Sequence, residues 1–133
     1  MYCRMRLTFA QLAMQLLKTD RPKALEVLQR CDRELPAYNI PFSHESGAHF
    51  LARAYAQLGK EAQAWRHIDA VWHLSSQYLR WILSLPDSRR PAYARLFRQH
   101  IAVLYHLTQS ANLLDPDRAQ QMYNQLLAYQ QRA

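Results

Sequence analysis

Apolar residues recur along this chain at intervals of three and four, which is the spacing of one face of a helix. In the first segment Met5, Phe9, Leu12 and Leu16 follow this rule. No stretch alternates apolar and polar residues for long enough to indicate a strand. The chain has only two glycines and is rich in Ala, Leu, Gln and Arg, which favour helices. The sequence therefore predicts an all-α fold.

Turn and capping residues divide the pattern into about six helices. They are expected at residues 2–18, 21–35, 44–58, 60–85, 92–111 and 116–131. Asp20, Ser43 and Asp115 precede three of them as N-caps, because a short side-chain oxygen accepts hydrogen bonds from the first turn. Gly59 is expected to end the third helix. The helices pair as hairpins at about 2–35, 44–85 and 92–131 within a single domain over residues 1–133.

The first two hairpins share a pattern of small and large residues. Alanine stands where the two helices of a pair would meet, at Ala13, Ala24, Ala52 and Ala64. Larger apolar residues such as Leu28 and Tyr55 lie between these positions. The pattern resembles the tetratricopeptide repeat, which implies antiparallel hairpins stacked as a short right-handed solenoid. The third hairpin lacks the alanines, as expected of a last pair whose outer face must be polar.

Two segments depart from a regular repeat. Residues 35–43 contain two prolines, so we expect an extended strap whose Ile40 and Phe42 fill the core. The fourth helix would be roughly 39 Å long and would outrun its partner, so its second half must pack on another element. Its apolar stripe comprises Ala64, Ile68, Val71, Ser75, Tyr78, Ile82 and Leu85. In the fifth helix, Phe97, Ile101 and Leu104 are expected to face inward.

The chain is basic, with a net charge of +7 from 17 Lys and Arg against 10 Asp and Glu. The basic residues are spread along the chain, and one weak cluster contains Arg89, Arg90, Arg95 and Arg98. Nucleic-acid binding normally requires a patch or stripe of basic residues. Binding of nucleic acid or another anionic ligand at this cluster is therefore the less favoured alternative to a protein-binding role.

Residues suited to catalysis or metal binding do not form a recognisable motif. His44 and His49 are five residues apart, about 140° around a helix, whereas the zinc-protease motif needs a spacing of four. Gly47 and Gly59 are the only glycines, so a glycine-rich phosphate loop is absent from the sequence. Paired carboxylates on one inward helix face are also missing. We predict no catalytic, metal-binding or cofactor-binding residues, and no enzymatic activity for this chain.

Three tryptophans flank the stripe of the fourth helix, at Trp65, Trp72 and Trp81. Tryptophan rings can stack on sugars, so a carbohydrate-binding accessory domain is a third alternative. The seven-residue spacing of Trp65 and Trp72 beside an apolar stripe favours packing in the core or against a partner.

The repeat resemblance implies a partner-binding groove on the concave side, which the first helix of each pair lines. The candidates are Met14, Lys18, His49, Arg53 and Gln57, with Tyr38 and Asn39 of the strap at one end. Arg53 has the planar guanidinium that suits a partner's carboxylate. The expected partner is a protein or peptide segment, and a homodimer through the fourth and fifth helices stays open.

A further resemblance concerns particular segments: RMRLTFAQLA at 4–13, ALEVL at 24–28, LPAYNIPF at 35–42, Ala54-Tyr55 with Gly59, and Tyr78-Leu79 with Ser84-Leu85. Over residues 4–90 these resemble the soluble C-terminal region of a bacterial family of multi-spanning membrane proteins similar to protein O-mannosyltransferases. The resemblance implies a soluble domain cut from a larger protein, on the periplasmic side of the inner membrane. Its own membrane domain is then a candidate partner and holds any glycosyl-transfer chemistry. No apolar run is long enough for this chain itself to insert into the membrane.

Overall fold

The computed structural model describes residues 2–34 and 48–132, with side chains from Thr8 and from His49 onward in these two ranges. Within them the chain forms six α-helices and a short 3₁₀ segment, and no strand. The helices are α1 (Tyr2–Thr19), α2 (Arg21–Glu34), α3 (Ala48–Gln57), α4 (Glu61–Ser84), α5 (Ala94–Asn112) and α6 (Pro116–Arg132), and the 3₁₀ segment is Arg90–Tyr93. The prediction of an all-α chain is confirmed.

Aspartates cap two of the helix N-termini. Asp20 Oδ1 accepts the backbone N–H of Lys23 at 3.2 Å, which fixes the start of α2. Asp115 Oδ1 accepts the backbone N–H of Arg118 at 3.3 Å at the start of α6, where Pro116 occupies the first turn. Both caps were predicted from the sequence.

Gly59 ends α3 in the left-handed conformation, with φ +74°. Its N–H donates to the carbonyl of Ala56 at 3.1 Å, and the N–H of Lys60 donates to the carbonyl of Tyr55 at 3.0 Å. These two hydrogen bonds form a Schellman C-cap, which satisfies carbonyls that the helix itself leaves free. A side chain at this position would strain the backbone, so glycine is required by conformation.

The strap predicted at residues 35–43 lies outside the described residues. The same holds for the Ser43 cap, for the core role of Ile40 and Phe42, and for the site candidates Tyr38 and Asn39. These stay predictions.

Consecutive helices pack as three pairs, α1 with α2, α3 with α4, and α5 with α6. Each later pair also rests on the one before it, since α3 contacts both α1 and α2, and α5 contacts both α3 and α4. The buried apolar residues form two clusters, one among the first four helices and one among α3 to α6, and Leu114 packs against both. All four alanines of the predicted small-residue pattern are fully buried, namely Ala13, Ala24, Ala52 and Ala64.

The second half of α4 differs from the predicted stripe. Leu79 is fully buried, whereas Tyr78 is 40% exposed, so the expectation that Tyr78 faces the core is wrong. The buried face is set here by α5, because Ser75 hydrogen-bonds His100 at 3.1 Å. The Tyr78 ring stacks on His100 at 4.6 Å from the outside. The buried stripe therefore departs from the prediction at this one step, where Leu79 replaces Tyr78, while Ser75 and Ile82 are buried as predicted.

Candidate functional site

A polar cluster joins α2, α3 and α4, and we call it the Asp32 cluster (Asp32, Tyr55, Arg66 and His67). The Tyr55 hydroxyl donates to Asp32 Oδ2 at 2.6 Å, and Arg66 Nη2 donates to the same oxygen at 2.9 Å. His67 Nε2 lies 3.0 Å from Asp32 Oδ1, and its ring stacks on Tyr55 at 5.5 Å. Groups from α3 and α4 therefore converge on one carboxylate of α2.

The environment of the Asp32 cluster shifts the pKa values of Asp32 and Tyr55 in opposite directions. Burial raises the pKa of Asp32, but the hydrogen bond and charge of His67, with help from Tyr55 and Arg66, hold that pKa below its usual 3.8. Burial first, and Asp32 second, raise the pKa of Tyr55 above its ordinary range, so its hydroxyl keeps the proton it donates. Tyr55 and His67 are fully buried, whereas the Arg66 side chain is 64% exposed, so the buried part of the cluster joins α2, α3 and α4.

His49 lies between helices rather than on an open groove. Its side chain is 9% exposed, and its ring stacks on His106 of α5 at 5.3 Å and contacts Phe50 at 4.2 Å. Burial, followed by repulsion from His106, lowers the pKa of His49 to about 4. Its Nδ1 is buried without a hydrogen-bond partner among the described residues. The expectation that His49 is exposed is therefore wrong, because its neutral ring fills the contact between α3 and α5.

The remaining described groove candidates lie on α1 and α3. Met14, Arg53 and Gln57 are half-buried, and Lys18 is exposed. Met14 and Lys18 are four residues apart on α1, and Arg53 and Gln57 are four apart on α3, so each pair shares a helix face. The two helices contact each other. The carbonyl of Gln57 accepts a hydrogen bond from Arg21 at 2.7 Å, which ties α2 to the end of α3.

A long depression runs between α5 and α6, and we call it the α5–α6 groove. Its volume is about 650 Å³. The lining residues are Phe97, Arg98, Ile101, Ala102, Tyr105, Tyr123, Leu126 and Gln130. Phe97 and Ile101, expected to face inward, are only half-buried and lie one turn apart in its wall, followed by Tyr105, which is 47% exposed. The groove was not predicted from the sequence.

A smaller cavity of about 310 Å³ lies where α4 ends and α5 begins, and we call it the corner pocket. It is lined by Ile82, Leu83, Asp87, Arg90, Pro91, Ala94, Phe97 and Arg98. Arg90 and Arg98 of the predicted basic cluster both line this pocket, whereas Arg89 and Arg95 lie outside the lining. Arg90 is half-buried, and the other three are exposed. Nucleic-acid binding by this cluster stays a prediction, which a steep fall of affinity with salt would test.

Comparison with known proteins returns no match: no protein-family model, curated protein or solved structure is significantly similar to the chain. The geometry of the described residues therefore carries the functional argument.

The tryptophans of α4 have different surroundings. Trp65 lies under the guanidinium of Arg118, 4.0 Å from its ring centroid. Trp72 is half-buried against the second core cluster. Trp81 is exposed on one side and meets the ring of Tyr93 edge-on at 5.0 Å. Trp65 and Trp72 are thus occupied by packing, and a sugar-binding role stays a prediction for Trp81.

Within residues 2–34 and 48–132, no three or more His, Cys, Asp or Glu side chains are grouped so that they could hold a metal ion. In those ranges, none of the helices has the length and apolar character that crossing a membrane requires.

Proposed function

We propose that this chain is a non-catalytic helical-repeat module that binds an amphipathic helix of another protein in the α5–α6 groove. The groove itself is the observation that carries the proposal. It measures about 650 Å³, and aromatic and aliphatic side chains from both helices form its walls. Soluble proteins leave few large contiguous apolar patches exposed, and those that persist mark interaction sites.

The order of helix contacts supports a helix as the occupant. α3 packs on both helices of the first pair, and α5 packs on both helices of the second. A tetratricopeptide-like right-handed solenoid would have this order, because each added helix enters the groove of the preceding pair. The α5–α6 groove is the next position in the series, and no further described helix packs there. A partner helix would occupy that position.

Charge favours an acidic partner. The groove lining contains Arg98 and no acidic side chain, and the whole chain carries +7. A second copy of the chain would bring like charge to the interface, which opposes a homodimer at low salt. The preferred ligand is therefore a helix whose apolar residues repeat every three to four positions and whose flank carries Asp or Glu.

The face formed by α1 and α3 is a second surface within the same proposal. Arg53 and Gln57 on α3, with Met14 and Lys18 on α1, would contact a peptide lying across these two helices. Their support is that they are at least partly exposed on helices that touch. Arg53 would bind a carboxylate of that peptide.

The membrane-protein resemblance adds a specific candidate partner. We propose that the chain belongs to a larger protein similar to protein O-mannosyltransferases, stands on its periplasmic side, and packs against its membrane domain. The support is the residue resemblance over positions 4–90 alone. The sequence immediately upstream in the gene tests this, because transmembrane helices there support the proposal and a free-standing start contradicts it.

The test of groove binding is a titration of designed helical peptides, measured by fluorescence anisotropy. Three labelled peptides share one apolar face and carry acidic, neutral or basic flanks. We expect the acidic peptide to bind most tightly. Ile101→Asp should weaken it by more than about tenfold, because a carboxylate would be placed in an apolar wall. Leu113→Asp changes an apolar residue that is 57% exposed outside the groove and is the matched control.

Each outcome assigns or removes a surface. Equal affinities for all three peptides, or equal effects of Ile101→Asp and Leu113→Asp, contradict the proposal. Loss of binding with Arg53→Glu but not with Ile101→Asp moves the site to α1 and α3. If analytical ultracentrifugation shows a dimer that Ile101→Asp dissociates, the groove binds a second copy of the chain instead of another protein.

A further inference from the structure

We infer that the corner pocket binds a small amphiphilic carboxylate, that is, a single anionic group on a compact apolar body. This inference concerns a different site from the α5–α6 groove, although Phe97 and Arg98 line both sites. It rests on the size of the pocket, on its apolar walls, and on two arginines that border it beside a single acid.

The walls of the pocket are apolar on most sides. Ile82 and Leu83 come from the last turns of α4, and Phe97 comes from α5. Its volume of about 310 Å³ lies at the lower end of the range for small-molecule sites, which is roughly 300–1,000 Å³. At about 30 Å³ for each water-sized atom, it has room for on the order of ten non-hydrogen atoms. A short hydrocarbon chain or one ring therefore fits.

The charges at the pocket leave one positive charge in excess. Arg90 donates a hydrogen bond to Asp87, so these two charges offset each other. Arg98 also lines the pocket and makes no ion pair among the described residues. Arg98 therefore has no described ion-pair partner; it borders the apolar cavity and is itself exposed to solvent, so its guanidinium is free to bind an entering carboxylate.

Arg90 provides a second, more specific indication. Its Nε is buried and has no hydrogen-bond partner among the described residues, although its Nη2 binds Asp87. A buried donor without an acceptor is unfavourable, and a carboxylate oxygen supplies that acceptor. Arg90 and Arg98 together would therefore contact the two oxygens of one carboxylate.

The pocket also disfavours other classes of ligand. The lining carries one net positive charge, because Arg90 pairs with Asp87, and this charge matches a monoanion better than a doubly charged phosphate. A cation would be repelled by the net positive charge of the lining. A neutral apolar molecule would leave the Arg90 donor without an acceptor. A monocarboxylate with an apolar body matches the single net charge, is attracted by the arginines, and supplies an acceptor for the Arg90 donor.

The experiment is an NMR titration with three probes of equal chain length: octanoate, octanol and octylamine. Octanoate should bind and shift the methyl signals of Ile82 and Leu83. Octanol should bind at least about tenfold more weakly, because it lacks the charge-assisted hydrogen bonds. Octylamine should not bind. Octanol binding as tightly as octanoate would show an apolar cleft without anion selectivity and would overturn the inference.

Four variants locate the site. Ala94→Leu fills the pocket and should abolish octanoate binding, whereas Arg98→Gln should weaken it by about tenfold. Arg95→Gln removes an exposed charge from the same helix and should change the affinity by less than about twofold. Asp87→Asn removes the opposing charge and should strengthen binding. Far-UV circular dichroism confirms that each variant keeps its helices.

Two results would overturn the location. One is unchanged octanoate binding in Ala94→Leu, and the other is equal weakening by Arg98→Gln and Arg95→Gln. Ala94 lines the corner pocket and not the α5–α6 groove, so Ala94→Leu should leave peptide binding unchanged. Failure of this inference is therefore distinguishable from failure of the protein-binding proposal.

Discussion

The Asp32 cluster and the α5–α6 groove differ in how their helices meet: the first is a hydrogen-bonded contact between helices, and the second is an apolar surface open to solvent. In the cluster, Tyr55 and His67 are fully buried and meet one carboxylate within 3.0 Å. In the groove, Phe97 and Ile101 are half-buried, and Tyr105 is largely open to solvent. The first region has directional bonds between three helices, whereas the second presents apolar surface from two helices to the outside.

The difference indicates which region fixes the fold and which is available for binding. A buried hydrogen-bonded network is unfavourable in any arrangement that leaves a member unpaired, so it selects one packing of α2, α3 and α4. Apolar contact is non-directional and grows with the area removed from water, so a partner can supply it. We therefore expect mutations in the cluster to lower stability and mutations in the groove to lower binding.

The largest effect is expected from Asp32→Ala. Removing this carboxylate leaves Tyr55 and His67 without their shared partner inside the protein, and we expect the free energy of unfolding to fall by about 3 kcal/mol. Urea unfolding measures it. Glu34→Ala is the matched control, because Glu34 is an exposed acid on the same helix and pairs only with Arg30. It should cost less than about 0.5 kcal/mol. Equal losses of unfolding free energy in the two variants would show that the Asp32 cluster contributes no more to stability than an exposed ion pair.

His49 lies at the α3–α5 contact, between the two regions, and makes the stability depend on pH. Its pKa is about 4 in the folded protein and near 6.5 when unfolded, so the unfolded state binds the proton first as the pH falls. Between pH 7.5 and pH 5 this residue should therefore cost about 2 kcal/mol of stability.

His49→Phe keeps a ring of similar size against His106 and should remove that part of the acid loss. Urea unfolding at the two pH values measures the difference. His73→Gln changes an exposed imidazole on α4 and is the control, which should retain the loss. The assignment to His49 is wrong if the control and His49→Phe lose stability equally on acidification.

Arg118 provides a polar contact between α4 and α6, outside the groove, that can be compared with the Asp32 cluster. It pairs with Asp69 at 2.7 Å and lies over Trp65, but all of this occurs at a partly exposed surface between α4 and α6. Arg118→Ala should lower the free energy of unfolding by about 1 kcal/mol. Arg80→Ala, exposed on α4, should cost less than about 0.5 kcal/mol. If Arg118→Ala lowered the free energy of unfolding as much as Asp32→Ala, burial would not explain why the Asp32 cluster contributes more to stability than the Arg118 contact.

The helices were predictable because their signals are local. The caps at Asp20 and Asp115 depend on N–H groups a few residues away, and the end of α3 depends on the conformation of Gly59. The buried alanines at 13, 24, 52 and 64 follow from the helical period. Prediction was less accurate at Tyr78, because a change of partner helix decides which face of α4 is buried.

The candidate sites were harder to predict because they join distant positions. Asp32 lies 23 residues from Tyr55 and 35 from His67 along the chain, so no spacing rule links them. The groove had a weak signal in the four-residue steps of Phe97, Ile101 and Tyr105, but the same period is typical of a core face. Only the structure shows that Phe97 and Ile101 pack against the core on one side and line the groove on the other.

The smallest expected effect on stability, and the sharpest division between the two regions, comes from Tyr105→Ser. Because Tyr105 is 47% exposed, its loss should change the free energy of unfolding by less than about 0.5 kcal/mol. The same change removes an aromatic ring from the groove wall, so the affinity for an acidic amphipathic helix should fall by about tenfold. Urea unfolding and fluorescence anisotropy on the same samples give both values.

Trp81→Ser is the matched control for Tyr105→Ser, because Trp81 is 46% exposed and lies outside the groove lining. It should leave peptide affinity unchanged. A stability loss in Tyr105→Ser approaching that of Asp32→Ala would mean that the groove is part of the core, and the comparison of the two regions would fail. Equal peptide affinities in Tyr105→Ser and Trp81→Ser would instead show that the peptide does not contact the Tyr105 ring. The groove would then not be the binding surface, while the role of the Asp32 cluster in stability would be unaffected.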